Sequence, residues 1–352
     1  MKKSFLALAL MSAFSGAAFA QQSVTIYGIA DVGFQSLDLG NGRTSSIQSG
    51  QEAGSRLGFK GTEDLGGGLK ANFVLEQGLL LDTGASDQGG RTFGRTSIVG
   101  LSGDFGAVNL GRDKTTTLKF FDYYDPFVSA LINNGKGIRA NYFVGGTTAV
   151  DGPLPGKDGT SSGRVSNAVF YSTPNLSGFT AQGSYGFGET AGDTSANRSL
   201  GLTLNYKIDA FEAGYNFAKD NDMVGATNVT NAIKAHTVAA SYDFGVAKPV
   251  FFYQKQSSDD STTDKKIYSL AVTVPVDVNG KVLAGFTQVK NNAVTAGDSK
   301  QFALGYIYAL SKRTDLYTSY ARTTQDANST FLSLTNQGAN VTEFTAGLSH
   351  KF

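Results

Sequence analysis

Apolar and polar residues alternate along most of this chain. In the stretch 199–206, Leu200, Leu202, Leu204 and Tyr206 share one face, and Gly201, Thr203 and Asn205 share the other. Tyr268, Leu270, Val272 and Val274 line one face of 267–274. Phe302, Leu304, Tyr306, Tyr308 and Leu310 do the same in 301–310, as do Phe179, Ala181, Gly183, Tyr185 and Phe187 in 179–187. A period of two is the signature of a half-buried strand. Between these stretches lie turn residues: Leu65-Gly66-Gly67-Gly68, Gly103-Asp104-Phe105-Gly106, Thr173-Pro174-Asn175-Leu176, Ile208-Asp209-Ala210, Phe244-Gly245-Val246, Asp277-Val278-Asn279-Gly280 and Ser311-Lys312-Arg313-Thr314. Gly, Pro, Asn and Asp collect in tight turns because those need a positive or preset φ.

The turns recur at intervals of roughly 33–38 residues, except one interval about twice as long, which is too much chain for an ordinary connection. The excess falls at 113–163. The pattern predicts sixteen strands: 23–35, 53–62, 69–80, 92–102, 107–112, 164–173, 178–189, 197–207, 210–219, 233–244, 248–258, 265–276, 281–291, 300–310, 315–325 and 341–352. Short turns alternate with long polar connections, 36–52, 81–91, 113–163, 190–196, 220–232, 259–264, 292–299 and 326–340. An even number of strands lets the first pair with the last and leaves no open edge.

A soluble sandwich would alternate in the same way. Three features favour a membrane. The strands are about 9–12 residues long, the length that a tilted strand needs to cross a bilayer. Tyr and Phe recur near the ends of the apolar faces, as interfacial girdles do. The opposite faces are small and polar, which suits a wet lumen better than a second core. The fold class expected is therefore all-β, a sixteen-stranded antiparallel transmembrane β-barrel. Its long third loop, 113–163, is expected to fold into the lumen and narrow it.

Composition agrees. The 352 residues include 44 Gly, 25 Phe and 15 Tyr, a β-type balance. With no Cys there are no disulfides, thiolate metal sites or Cys nucleophiles. Residues 1–20 read as a secretory signal peptide: Lys2-Lys3, the apolar run 5–14, and Ala18-Phe19-Ala20 before cleavage. The barrel would then be 21–352, starting at Gln21, and losing Lys2 and Lys3 takes the net charge from +1 to −1. That is no basic footprint for nucleic acid. No later apolar run is long enough for a spanning helix.

No enzyme is expected. Asp82-Thr83-Gly84-Ala85 looks like an aspartic protease stretch, but it has no second copy and falls in a loop. Gly66-Gly67-Gly68 lacks the Lys-Ser/Thr of a phosphate loop. The two histidines, His236 and His350, are in phase with outward apolar residues, so neither a triad nor a metal site is expected.

An ordered set of motifs resembles the general diffusion porins of Gram-negative outer membranes, of the betaproteobacterial type. It comprises Ser23-Val24-Thr25-Ile26-Tyr27-Gly28-Ile29-Ala30-Asp31, the run from Gly54-Ser55-Arg56-Leu57-Gly58-Phe59 to Leu69-Lys70, Gly90-Arg91-Thr92-Phe93-Gly94-Arg95, Leu110-Gly111-Arg112, Leu310-Ser311-Lys312-Arg313-Thr314-Asp315 and the terminal Phe352. The resemblance covers the chain after the signal peptide. It implies a homotrimer set in outer-membrane lipid and lipopolysaccharide, no cofactor, and a terminal aromatic, Phe352, read by the barrel-assembly machinery.

A diffusion pore works through the charges at its narrowest point, because a transverse field across a gap between low-dielectric walls orients solutes. On the wall, Arg56 is in phase with Gly58 and Lys60 and faces the lumen. Arg164 starts the strand after the long loop, out of phase with Val165, Val169 and Tyr171. Arg95 is in phase with Phe93, Val99 and Leu101, which would aim it at lipid at a cost of about 2–4 kcal/mol near mid-bilayer. A bulge or an early strand end is therefore expected there. The resemblance makes these three the arginine cluster of the pore, with Arg112 at the foot of the loop beside them. On the loop, Asp122 and Asp125 flank Tyr123-Tyr124 and would form the acidic half. Lys119, Lys136 and Arg139 lie close by, so the sign of selectivity stays open, with the balance toward weak anion preference. The alternative function is a substrate-specific outer-membrane channel on the same barrel.

Overall fold

The computed structural model describes residues 24–127, 163–224, 229–329 and 337–352. The expected signal peptide, most of the long third loop, and Lys136 and Arg139 within it lie outside the described residues. One antiparallel sheet runs round the molecule. Its strands are β1 (Thr25–Asp38), β2 (Arg43–Ser49), β3 (Arg56–Gly66), β4 (Leu69–Leu80), β5 (Ala85–Ser86), β6 (Thr96–Gly103), β7 (Gly106–Lys114), β8 (Arg164–Ser172) and β9 (Phe179–Gly186). They continue as β10 (Ser199–Ile208), β11 (Phe211–Val224), β12 (Val229–Tyr242), β13 (Lys248–Ser258), β14 (Asp264–Pro275), β15 (Gly280–Asn291), β16 (Ser299–Ala309), β17 (Thr314–Gln325) and β18 (Val341–Lys351). β2 and β3 are two parts of one interrupted strand, since both pair with β1. β5 is a two-residue bridge to β4. Sixteen barrel strands remain. β1 and β18 pair from Ile29↔Lys351 to Asp38↔Thr342, so the barrel is closed.

Closure gives every strand an inside and an outside. Val99, Leu110, Leu204, Phe251, Leu270, Phe286, Phe302, Leu304 and Phe344 are exposed on the outer face. Phe251, Leu270, Phe286 and Phe302 follow one another across four strands in register, a continuous apolar band. The inner face carries buried polar residues that bond across strands: Gln254 Nε2 donates to Thr237 Oγ1 at 2.7 Å, and Ser269 and Thr287 share a 2.8 Å hydroxyl contact. His236 and His350 point outward, bonded to Tyr215 and Thr314.

Two expected loops are corrected. The stretch 36–52 is not a long outer loop. β1 runs to Asp38, a short connection follows, and Arg43–Ser49 is already strand. Likewise 220–232 shrinks, because β11 and β12 are paired out to Val224↔Val229. In both cases the strands project past the apolar band, where alternation has no lipid to record it.

The described start of the third loop is a helix, α1 (Thr116–Tyr124), capped by Thr115, whose hydroxyl accepts the Leu118 N–H. It lies against the inner face of the sheet. Thr117 Oγ1 donates to Asn216 Oδ1 at 2.9 Å, and Phe121 stacks on Phe252 with centroids 5.4 Å apart. Phe120, Phe121 and Tyr124 pack with Val250, Phe252, Ile267 and Val289. Phe127 continues the contact to Leu283, Ala303 and Ile307. The inner wall is thus apolar where this segment covers it, rather than small and polar throughout. Each buried aromatic contributes about 1.5–3 kcal/mol to that attachment.

Candidate functional site

The arginines converge because three strands end or bulge at the same level. β2 stops at Ser49, and the chain leaves the sheet over residues 50–55. Asp31, fully buried on β1, holds this excursion. Its carboxylate accepts the N–H groups of Gln51 (2.9 Å), Glu52 (3.0 Å) and Ala53 (2.9 Å) and the Tyr317 hydroxyl (2.8 Å). The chain re-enters the sheet at Arg56, whose Nε donates to Gly54 O at 2.8 Å.

Glu76, on the facing strand β4, lies between Arg56 and Arg95. Its Oε1 is 3.9 Å from Arg56 Nη1 and 2.7 Å from Arg95 Nε, and its Oε2 accepts the Tyr27 hydroxyl at 3.0 Å. Arg95 precedes β6, which begins at Thr96, so the early strand end frees it from the outward phase. Its N–H donates to Glu76 O at 3.1 Å. Its own carbonyl accepts from Arg164 Nε at 3.0 Å. Arg112 donates from Nε to Gly94 O at 2.7 Å and from Nη1 to Ser166 Oγ at 2.9 Å. The β7–β8 register shifts between Gly111 and Asp113, and Asn167 has φ 51°. This bulge breaks the alternation that fixes Phe170 inward, so phase alone does not place Arg112 and Arg164.

On the loop side Asp122 pairs with Lys114 at 2.7 Å and is close enough to Arg56 and Arg164 to act on both charges. Asp113 pairs with Lys119 at 2.7 Å. Asp125 is the helix C-cap residue. It is 5% exposed, and its Oδ1 accepts the Phe127 N–H at 2.9 Å. Of the two loop acids, Asp122 alone keeps side-chain access to the space beside the arginines. Tyr123 is exposed; burial, and then the nearby Glu212 charge, hold its hydroxyl above the usual range.

The described charges around this gap are therefore Arg56, Arg95, Arg112, Arg164, Lys114 and Lys119, against Glu76, Asp113 and Asp122. Two positive charges stand for each negative one. Glu76 was not singled out from the sequence. The only trace it leaves is a carboxylate in phase with Lys70 and Asn72 on β4, a face that also carries Val74, and the register that brings it to Arg56 is not written in spacing.

Next to Ile29, the β1 partner of Arg56, Gly28 pairs with Phe352 by two backbone hydrogen bonds of 3.1 Å. The Phe352 ring covers Gly28, where any Cβ would strike it. This seals the junction of first and last strands.

A closed barrel with an outer apolar band and charges gathered at one level inside is a membrane channel. The family description that matches residues 7–328 is Gram-negative porin. Outer membrane porin protein 32 of Delftia acidovorans is 38% identical over 327 residues, covering 90% of this chain and 88% of that one. An outer membrane porin protein of Bordetella pertussis is 31% identical across the full length of both. The solved anion-selective porin from Comamonas acidovorans has a TM-score of 0.79 and 31% identity, covering 94% of this chain and all of that one. The chain belongs to the Gram-negative porin family. It is an outer-membrane channel protein, as the members of that family are.

Proposed function

We propose that this porin passes small hydrophilic solutes by diffusion with a weak preference for anions, and that its narrowest level lies between the arginines and the third loop. Arg56, Arg95 and Arg164, with Arg112 behind them, are the basic wall; Asp122 is the main loop-side acid, and Asp125 supports the loop. The observation that carries this reading is the surplus of positive charge around Glu76. Opposed charges across a gap order water and orient solutes, and a net surplus of one sign favours counter-ions. The relative described as anion-selective has the same direction of preference.

The working unit proposed is a homotrimer embedded in outer-membrane lipid and lipopolysaccharide, assembled after removal of residues 1–20 and recognised through Phe352 by the assembly machinery. An apolar depression on the outer face, lined by Val32, Phe34, Ile47, Leu316 and Leu348, supports a protomer contact there. Single-channel recording tests the diffusion reading. Conductance should rise in proportion to KCl concentration without saturating. Saturation, or block by one solute alone, would mean a selective channel instead.

A further inference from the structure

The outer surface carries a line of basic residues that the pore does not use. His236 pairs in register with Lys255, Lys255 with Lys266, and Lys266 with Lys290, across β12, β13, β14 and β15. All four point outward: their strand neighbours Gln254, Gln256, Ile267 and Val289 are buried on the inner face. Lys300 stands on the next strand, also exposed. Directly opposed side chains lie about 4.5–5.5 Å apart, and like charges in that position destabilise a sheet. Among the described residues none of Lys255, Lys266, Lys290 and Lys300 has a carboxylate within ion-pair distance. The nearby acids form no ion pair with this line, although Asp264, two residues from Lys266, keeps one buried oxygen without a partner. Asp259 pairs with Lys234 at 2.8 Å, Asp298 accepts the Asn291 N–H at 3.0 Å, and Asp264 accepts from Asn292 at 3.4 Å.

The height of this line on the barrel identifies its surroundings. Two residues toward the middle of the same strands, Tyr253 and Tyr268 pack ring on ring at 5.1 Å. Next to them the Tyr215 hydroxyl bonds His236 Nδ1 at 2.8 Å. Below the tyrosines, Phe251 and Leu270 belong to the apolar band. Tyrosines above an apolar band mark a membrane interface. One step of two residues is about 7 Å along a strand, which sets the lysines at headgroup depth. They stand at the end of the barrel that bears the long loops, and so at the outer leaflet.

We propose that Lys255, Lys266 and Lys290, flanked by His236 and Lys300, form a docking site for the phosphates of a multiply phosphorylated glycolipid of the outer leaflet. The proposal rests on the outer-membrane reading above and gives the expected lipopolysaccharide a defined place on the barrel. Three ammonium groups in a row, each opposite the next, form no ion pair within the described residues. A lipid headgroup with more than one phosphate supplies counter-charge and relieves their mutual repulsion. Compact lysine charges suit such a headgroup because each acts as a point charge without needing a planar partner.

The test uses the full-length oligomer in phosphatidylcholine nanodiscs containing bisphosphorylated lipid A, dephosphorylated lipid A or phosphatidylglycerol, with bound lipid counted by native mass spectrometry. Wild type should retain the bisphosphorylated lipid and neither of the others. The Lys255→Ser/Lys266→Ser/Lys290→Ser variant should bind it about 100-fold more weakly, since each basic residue contributes roughly a fivefold gain near an anionic surface. The triple Lys→Arg variant should keep binding. Conductance and reversal potential should be unchanged in the Ser variant, because the ladder is outside the lumen; failure of the site therefore leaves the pore reading intact. Equal retention of dephosphorylated lipid A or of phosphatidylglycerol by wild type would overturn the proposal. So would undiminished binding by the Ser variant, or its conversion to a monomer, which would make this face a protomer contact.

Discussion

Arg95 Nε donates to Glu76 Oε1 at 2.7 Å, and the two residues meet because β6 begins one residue after Arg95. One carboxylate thus offsets part of the charge of two arginines. Replacing it has two expected effects. Glu76→Gln leaves the buried Arg95 without its counter-charge, which costs about 3–5 kcal/mol and lowers the unfolding temperature of the barrel. The same change raises the surplus of positive charge at the gap, so the reversal potential in a KCl gradient should move further toward anions.

Asp31 organises the excursion at 50–55 through three backbone N–H groups and the Tyr317 hydroxyl. Asp31→Asn keeps the size but loses charge-assisted acceptance and turns one acceptor into a donor. Loss of about 2–4 kcal/mol is expected, because hydrogen bonds to a charged group contribute about 1.5–3 kcal/mol each and some are retained. Heat-modifiability on gels measures it. The loosened excursion should also make single-channel current noisier.

Glu52 sits in that excursion, outside the strands. Burial first, then the charges of Asp315 and Asp31, raise its carboxyl from 4.5 to about 7. The folded protein therefore holds this proton where the unfolded chain has lost it. Its contribution makes stability fall as pH rises from about 4.5 to 7 and level off above that. Ionisation also adds a negative charge inside the barrel. Anion preference should be greater at pH 5.5 than at pH 8.5, and Glu52→Gln should remove that part of the change. An identical pH response in the variant would assign it to other groups.

Phe352 and Gly28 are matched in size at the seam. Gly28→Val places a side chain where the ring lies, and Phe352→Ala leaves the glycine uncovered. Each should reduce the yield of folded, heat-modifiable barrel in outer-membrane fractions. Refolding in detergent separates the two roles of the ring. If Phe352 acts chiefly as an assembly signal, Phe352→Ala should refold in vitro nearly as wild type does.

The barrel was legible because each strand records lipid on alternate residues. The strand expected at 248–258 is Lys248–Ser258, and the start at Arg164 is as expected. Legibility stops where lipid stops. Arg43–Ser49 is strand, yet its sequence Arg-Thr-Ser-Ser-Ile-Gln-Ser has only Ile47 to mark an outer face. Arg95 shows the opposite case: its phase conflicted with its chemistry, and the conflict itself predicted the early strand end. Glu76 and the burial of Asp125 depend on cross-strand register and on helix capping, which no local pattern reveals. The apolar inner wall at Phe252, Ile267 and Leu283 was equally hidden, because those residues face a loop segment and not lipid.

The most direct measurement is the reversal potential of reconstituted channels in a KCl gradient, comparing wild type with Arg56→Ala, Arg95→Ala and Arg164→Ala. A unit charge about 7 Å from the ion path changes a chloride's energy by about 0.6 kcal/mol at the dielectric constant of water and a potassium ion's by as much in the opposite sense, roughly a sevenfold change in permeability ratio. Wild type should favour chloride, and each variant should shift toward potassium by about that factor. A wild type without ion preference, joined by three variants that match it, would contradict the account.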